Sequence, residues 1–237
     1  MLNINNLIVE VTRKCNMKCE HCLRGNAQRL DMSDEVIAAM FKGVRHVGDV
    51  TFTGGEPTMA VPVIEKVIEA ARAARVSIGN FFVVTNGKTN AKTAKRFALC
   101  LLDLYSTLDE AEEGITALTV SGDMFHEEVN IPNVYKGLAF LSKERHGPKD
   151  EEYVIRTGRA EENCIGGREP RAFQPFEVEE YDDDVNVDRV YVAANGNVVS
   201  DCDRSYKDID TEARGNVLRD TLGDIVILDK VESEVAA

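Results

Sequence analysis

At 237 residues, 43% hydrophobic and 29% charged, the chain has apolar mass for one sizeable core, or for one core with a small appended lobe, and has the composition of neither a disordered tract nor a membrane protein. A net charge of −13, from 41 acidic against 28 basic residues, excludes a broad nucleic-acid or acidic-membrane footprint. Six cysteines, three packed into one short stretch and the others scattered at Cys100, Cys164 and Cys202, do not form a secreted disulfide framework and suit a reducing, cytoplasmic setting.

In chain order, short β-rich runs alternate with helical patterns, which predicts a parallel α/β sheet or barrel. Residues 7–11 read as the first strand; its apolar run stops at Glu10, too short for a signal segment or a membrane span. Ser33 reads as an N-cap with Asp34 and Glu35 in the first turn, and Val36, Ile37, Met40, Phe41 and Val44 follow at helical spacing. Residues 50–53 form the second expected strand, ending at Gly54. A helix is predicted over 61–74, with Pro62 tolerated in its first turn and Val63, Ile64, Val67, Ile68 and Ala71 facing the core. Residues 81–84 are continuously apolar, as in a strand covered on both faces, and end at Thr85-Asn86-Gly87. Asn90 caps a third helix carrying Ala94, Phe97, Ala98, Leu101 and Leu102. An acidic connector at 109–113 leads to a fourth strand, 115–120. A fourth helix is expected over 132–145, stopping at Gly147-Pro148, and a fifth strand over 153–157. Five strands are fewer than an eight-fold barrel requires, so a partial, open barrel over residues 1–160 is expected.

Beyond residue 161 the alternation fails. Residues 161–186 are rich in charge, glycine and proline, and the acidic run at 177–184 reads as a solvated linker. Asn195-Gly196 between the β-rich runs 189–193 and 197–199 is a strong hairpin signal, and a final helix or strand pair is expected over 215–228. Residues 161–237 are thus expected to be an acidic linker and a small C-terminal α+β lobe.

The stretch richest in chemistry is Cys15-Asn16-Met17-Lys18-Cys19-Glu20-His21-Cys22. Three thiols this close converge on a metal, because thiolates repel one another unless a cation or an iron–sulfur cluster neutralises them. Three local cysteines without a fourth leave one iron of a four-iron cubane to a non-protein ligand. A structural zinc site completed by His21, Cys164 or Cys202 is the competing reading, although His21 sits poorly for the same metal, between two ligands. This loop follows strand one, Gly54-Gly55-Glu56 strand two, Thr85-Asn86-Gly87 strand three, residues 121–126 strand four and residues 156–159 strand five. Ligands of parallel α/β proteins gather at such strand ends.

The CxxxCxxC loop, together with Gly54-Gly55-Glu56-Pro57, resembles the radical S-adenosylmethionine (SAM) superfamily. The resemblance implies a partial (β/α) barrel and a [4Fe–4S] cluster on Cys15, Cys19 and Cys22, whose open iron chelates the amino and carboxylate groups of SAM. An electron then cleaves the sulfonium, and a 5′-deoxyadenosyl radical abstracts hydrogen from the substrate. It further implies that Gly54, Gly55 and Glu56 receive the SAM ammonium, and that Ser121 and Asp123 meet the ribose hydroxyls with Asn86 on or behind them. Arg156 or Arg159 is expected to meet the SAM carboxylate. His126 is expected to face the cavity and to transfer a proton or orient the substrate, the alternative being a histidine that bonds a loop carbonyl. His21 stands where the family commonly has an aromatic residue and can still pack over the cluster.

The tail, with Asn195 to Cys202, Gly215-Asn216-Val217-Leu218 and Leu222-Gly223-Asp224-Ile225, is similar to the SPASM or twitch extension of enzymes that modify ribosomal peptides. Only Cys164 and Cys202 are available to it, so no auxiliary cluster is expected. The tail and the Ser-x-Asp-x-Phe-His segment favour a peptide or protein side chain as substrate. A small molecule such as a pterin, a glycyl-radical-activating role and, outside catalysis, a zinc-binding interaction module are the alternatives. Residues 1–30 carry Arg13, Lys14, Lys18, Arg24 and Arg29 against Glu10 and Glu20. That cationic patch suits docking of an acidic electron donor such as flavodoxin or ferredoxin, or merely offsets the charge of thiolates and cluster.

Overall fold

A computed structural model describes residues 1–108, 115–182 and 184–236; the acidic connector at 109–113 and Asp183 of the acidic run lie outside them. β1 (Leu2–Thr12) leads through the cysteine loop to α1 (Asp34–Met40), whose first turn is capped by Ser33 accepting a hydrogen bond from the Val36 amide. β2 (Val44–Gly54) is followed by α2 (Val61–Ala73), which buries Val61, Ile64, Val67, Ile68 and Ala71, one stripe at helical spacing. β3 (Ser77–Thr85) leads to α3 (Ala91–Tyr105), capped by Asn90 Oδ1 on the Thr93 amide at 2.9 Å. Leu102, expected on the buried face of α3, is exposed, because it lies a quarter-turn beyond the stripe of Ala94, Phe97, Ala98 and Leu101, and Leu104 is buried instead.

β4 (Ala117–Val120) is short and wholly buried. The helix expected over 132–145 does not form. A single 3₁₀ turn at Tyr135–Gly137 gives way to an extended segment that runs parallel to β4, bridging Leu118 to Leu141 and Ser121 to His146. Leu138 and Phe140 are buried with exposed Ala139 between them, a period of two that belongs to a strand edge. The strand expected over 153–157 is also missing: Glu151–Tyr153 is a 3₁₀ turn, and only Ile155 makes a bridge, to Arg168. Tyr153 is exposed and the two deeply buried residues, Val154 and Thr157, stand three apart, so the run has no period-two apolar face to seat in a sheet.

After α4 (Arg159–Glu162), the chain builds β5 (Val178–Tyr181), β6 (Asp184–Val192) and β7 (Asn197–Val199), then α5 (Tyr206–Thr211), β8 (Gly215–Asn216) and α6 (Leu222–Ala236). Within the acidic run expected as a linker, Val178–Tyr181 is therefore a strand, antiparallel to β6, with Glu179 and Glu180 exposed. The Asn195-Gly196 hairpin joins β6 to β7. The sheet order is β4-β3-β2-β1-β6-β7-β8, with β5 also paired to β6. β1 is its centre, parallel to β2 on one side and to β6 on the other, from Leu2 opposite Val185 to Val9 opposite Val192. The place beside β1 is thus taken by a strand from the C-terminal third. One cluster of buried side chains joins Leu7, Val9 and Phe52 to Val190, Val198, Leu222 and Val226. Among the described residues no helix is long and apolar enough to cross a membrane.

Candidate functional site

The cysteine loop leaves the C-terminal end of β1 and is held on all sides by backbone. The Gly55 amide donates to Thr12 O and the Glu56 amide to Lys14 O, each at 2.8 Å. A Cβ on Gly54 would stand 2.1 Å from Thr12 O, and one on Gly55 2.2 Å from Lys14 O, so only glycines let the end of β2 lie this close to the loop. The approach that demands them is between two stretches of protein. From the other side the Arg159 amide donates to Cys22 O at 2.9 Å, and the Tyr206 amide to Arg24 O at 3.1 Å.

A buried ionic network anchors the base of the loop. Arg13 donates to Glu10 through Nε at 2.7 Å and grips Asp210 of α5 with both terminal nitrogens at 2.7 and 2.8 Å. Glu10, fully buried, also accepts from the Tyr191 hydroxyl and from the Ala194 amide. The bidentate geometry and the satisfied carboxylate are what make two buried charges tolerable here.

The three loop cysteines line a cavity of about 270 Å³ together with Met17, His21, Leu23, Arg24, Gly54, Gly55, Glu56, Asn86, Ser121, His126 and His146. Burial and then the neighbouring Cys22 and Cys15 charges push the Cys19 thiol up to about 11, and burial raises Cys15 as well, so thiolates here call for a neutralising cation. The three sulfurs are not all within 4.8 Å of one another.

Glu56 is buried and accepts four hydrogen bonds: Oε1 from the Thr58 amide and hydroxyl and the Thr85 hydroxyl, Oε2 from the Asn86 amide at 2.8 Å. Oε2, with one bond, keeps accepting capacity on the cavity wall. Asn86 ties the cysteine loop to the β3 loop, donating to Asn16 Oδ1 at 2.9 Å. Ser121 lies on the wall. Asp123, expected beside it, does not. Its side chain is 1% exposed and turned to two histidines: Oδ2 lies 2.8 Å from His126 Nδ1 and 3.7 Å from His21 Nε2. His126 lines the cavity on that carboxylate, and burial lowers the pKa of His21 and of His146.

Of the two arginines expected at the carboxylate, Arg156 bonds Gly166 O and Glu169 and is exposed, while Arg159 meets the cysteine loop through its backbone; neither side chain is on the cavity wall. Arg24 is. It stacks over the Tyr191 ring at 5.0 Å and donates through Nη1 to Arg204 O at 2.8 Å. The sequence holds one signal for it, two residues after Cys22, and a charge count reads it as surface. Turned inward, it leaves the docking patch, as does buried Arg13; Lys14 is half-buried and paired with Asp31, while Lys18 and Arg29 stay exposed. His146 stands just past the helix expected over 132–145 and was not singled out in the sequence.

Parallel strands whose C-terminal loops converge on one thiol-lined cavity define a protein of the α/β partial-barrel class. A family model described as the radical SAM superfamily matches residues 9–159. The chain belongs to that superfamily, whose members are enzymes that use a [4Fe–4S] cluster and SAM. No curated protein matches. Among solved structures, one of native anSMEcpe with bound AdoMet and a Cp18Cys peptide is 26% identical with a TM-score of 0.37, over 51% of this chain and 32% of that one. Streptococcus suis SuiB bound to its precursor peptide SuiA is 11% identical with a TM-score of 0.45, over 94% of this chain and 64% of that one. The chain thus spans about a third of the first and under two thirds of the second.

Proposed function

We propose that this chain cleaves SAM reductively at a [4Fe–4S] cluster held by Cys15, Cys19 and Cys22 and takes hydrogen from a peptide or protein side chain. The observation that carries the reading is the lock between the cysteine loop and Gly54-Gly55-Glu56, which brings a three-thiol donor set and a carboxylate with spare accepting capacity to one cavity. The donor set fits a cluster with one open iron, since three thiols and no fourth cysteine line the cavity, whereas structural zinc takes four protein ligands. A cluster held there would supply the electron that breaks the sulfonium of SAM, and the 5′-deoxyadenosyl fragment so released would take the hydrogen.

The chain's own residues bind and orient. Gly54 and Gly55 carbonyls and Glu56 Oε2 receive the ammonium of SAM; Ser121, with Asn86 behind it, meets the ribose; Arg24, the cation on the cavity wall, meets the carboxylate. Arg159 acts through its backbone by holding Cys22. His126, steadied by Asp123, orients the substrate. The Ser-x-Asp-x-Phe-His segment at the cavity and the tail pattern support a peptide side chain, and an acidic reductant such as flavodoxin or ferredoxin meets Lys18 and Arg29.

Anaerobic reconstitution followed by dithionite and SAM tests the core claim. The wild-type chain releases 5′-deoxyadenosine and a Cys19→Ala variant does not; a chain that holds four irons yet releases none overturns it.

A further inference from the structure

Three of the chain's four histidines, His21, His126 and His146, line the cavity that Cys15, Cys19 and Cys22 line. Among the described residues, His21, Asp123 and His126 also form the group whose metal-ligating atoms all lie within 4.8 Å of one another. We propose that these three side chains bind one divalent transition-metal cation, zinc or ferrous iron by donor type, separate from the cluster and open to the cavity. Two imidazoles and one carboxylate are the donor set that such ions take while keeping positions free for water or substrate.

The group is built rather than incidental. Asp123 Oδ1 is fixed by the amides of Phe125 and His126 at 2.8 and 3.2 Å, which aims Oδ2 at both rings. Phe125 stacks on the His21 ring at 4.7 Å and fixes its plane. A Cβ on Gly147 would stand 2.2 Å from Asp123 Oδ2, so a glycine keeps that side clear. Ligand orientation by such outer contacts is typical of protein metal sites.

What remains unmet is at His21. Its Nε2 faces Asp123 Oδ2 at 3.7 Å, too far for a hydrogen bond. A cation drawn between Nε2, Oδ2 and His126 Nδ1 replaces that gap with bonds of about 2.1 Å. The 2.8 and 3.7 Å separations are close to those that such bonds span at ordinary coordination angles. The ion's free positions then face the cavity, where it orients an oxygen of the substrate as a Lewis acid. That role rests on the proposed function; the existence of the site does not.

The test uses the reconstituted wild-type holoenzyme with its cluster oxidised. Iron is counted first, the protein is incubated with zinc and desalted, and zinc is counted. One zinc per chain above the iron is expected. It is lost from Asp123→Asn, from His126→Gln and from His21→Phe, which keeps the stack on Phe125 but drops the ligand, while iron stays at the wild-type level. No zinc on the wild type, or zinc kept by all three variants, overturns the site. A measurement free of variants accompanies it: manganese bound to the wild-type holoenzyme gives imidazole nitrogen couplings in electron spin echo spectra, and their absence is equally fatal. A wild type without iron sinks the cluster reading, and the zinc lost on the three substitutions, rather than the total count, then decides this one.

Discussion

Gly55 and Arg24 are two residues on which the cavity depends for different reasons. A methyl group on Gly55 meets the Lys14 carbonyl, so the cysteine loop and the end of β2 must part. Gly55→Ala is expected to destabilise the chain by about 2–3 kcal/mol and to lower the iron retained after reconstitution, read by urea unfolding and iron assay. Arg24 acts by charge. Arg24→Gln is expected to weaken SAM binding about tenfold to a hundredfold, the worth of one charge-assisted hydrogen bond, with iron content unchanged in equilibrium dialysis of labelled SAM. The thiols and glycines could be read from the sequence because their meaning is local: spacing along a loop and room beside a backbone. Arg24 could not, since nothing near it in sequence says that Tyr191 waits to take its guanidinium inward. Asp123 was read as a ribose contact and not as a partner of His21, which comes from another loop.

Among elements, those with a cap and a clean stripe were legible. Ser33 and Asn90 start helices, and the buried face of α2 follows the spacing of its apolar residues. The segment after β4 was not, because Tyr135, Leu138 and Phe140 fit a helix nearly as well as an edge, and the vacant edge of β4 decides between them. β6 was half legible: its hairpin with β7 is written in Asn195-Gly196, while its pairing with β1 is set by long-range burial. α5 shows what such an element does from a distance. Burial alone would raise the Asp210 carboxyl, but hydrogen bonds from Arg13 outweigh it and hold it below the usual carboxylate range. A depressed carboxylate stabilises the fold above its ordinary pKa, and the contribution is lost as pH falls through the folded value. Asp210→Asn is therefore expected to cost about 1–2 kcal/mol at pH 6, modest for a buried pair because Asp210 is 38% exposed. The difference from wild type should close below about pH 4, as followed by thermal melts across the acid range.

At the scale of the molecule, the sheet has no seam where the C-terminal third begins. Residues 1–176 alone would leave β1 without β6 along one side and uncover Leu7 and Val9. That fragment is expected to be insoluble or to melt without cooperativity by circular dichroism, whereas the whole chain melts in one transition. Glu10 meets Tyr191, 181 residues downstream. A ribosome adding about 5–20 residues per second finishes β6 on the order of ten seconds or more after β1 has emerged. Through that interval the loop bearing Cys15, Cys19 and Cys22 has no floor beneath it, and its sulfurs are open to oxidation. Maturation should accordingly run in one direction, with iron and sulfide delivered after translation ends.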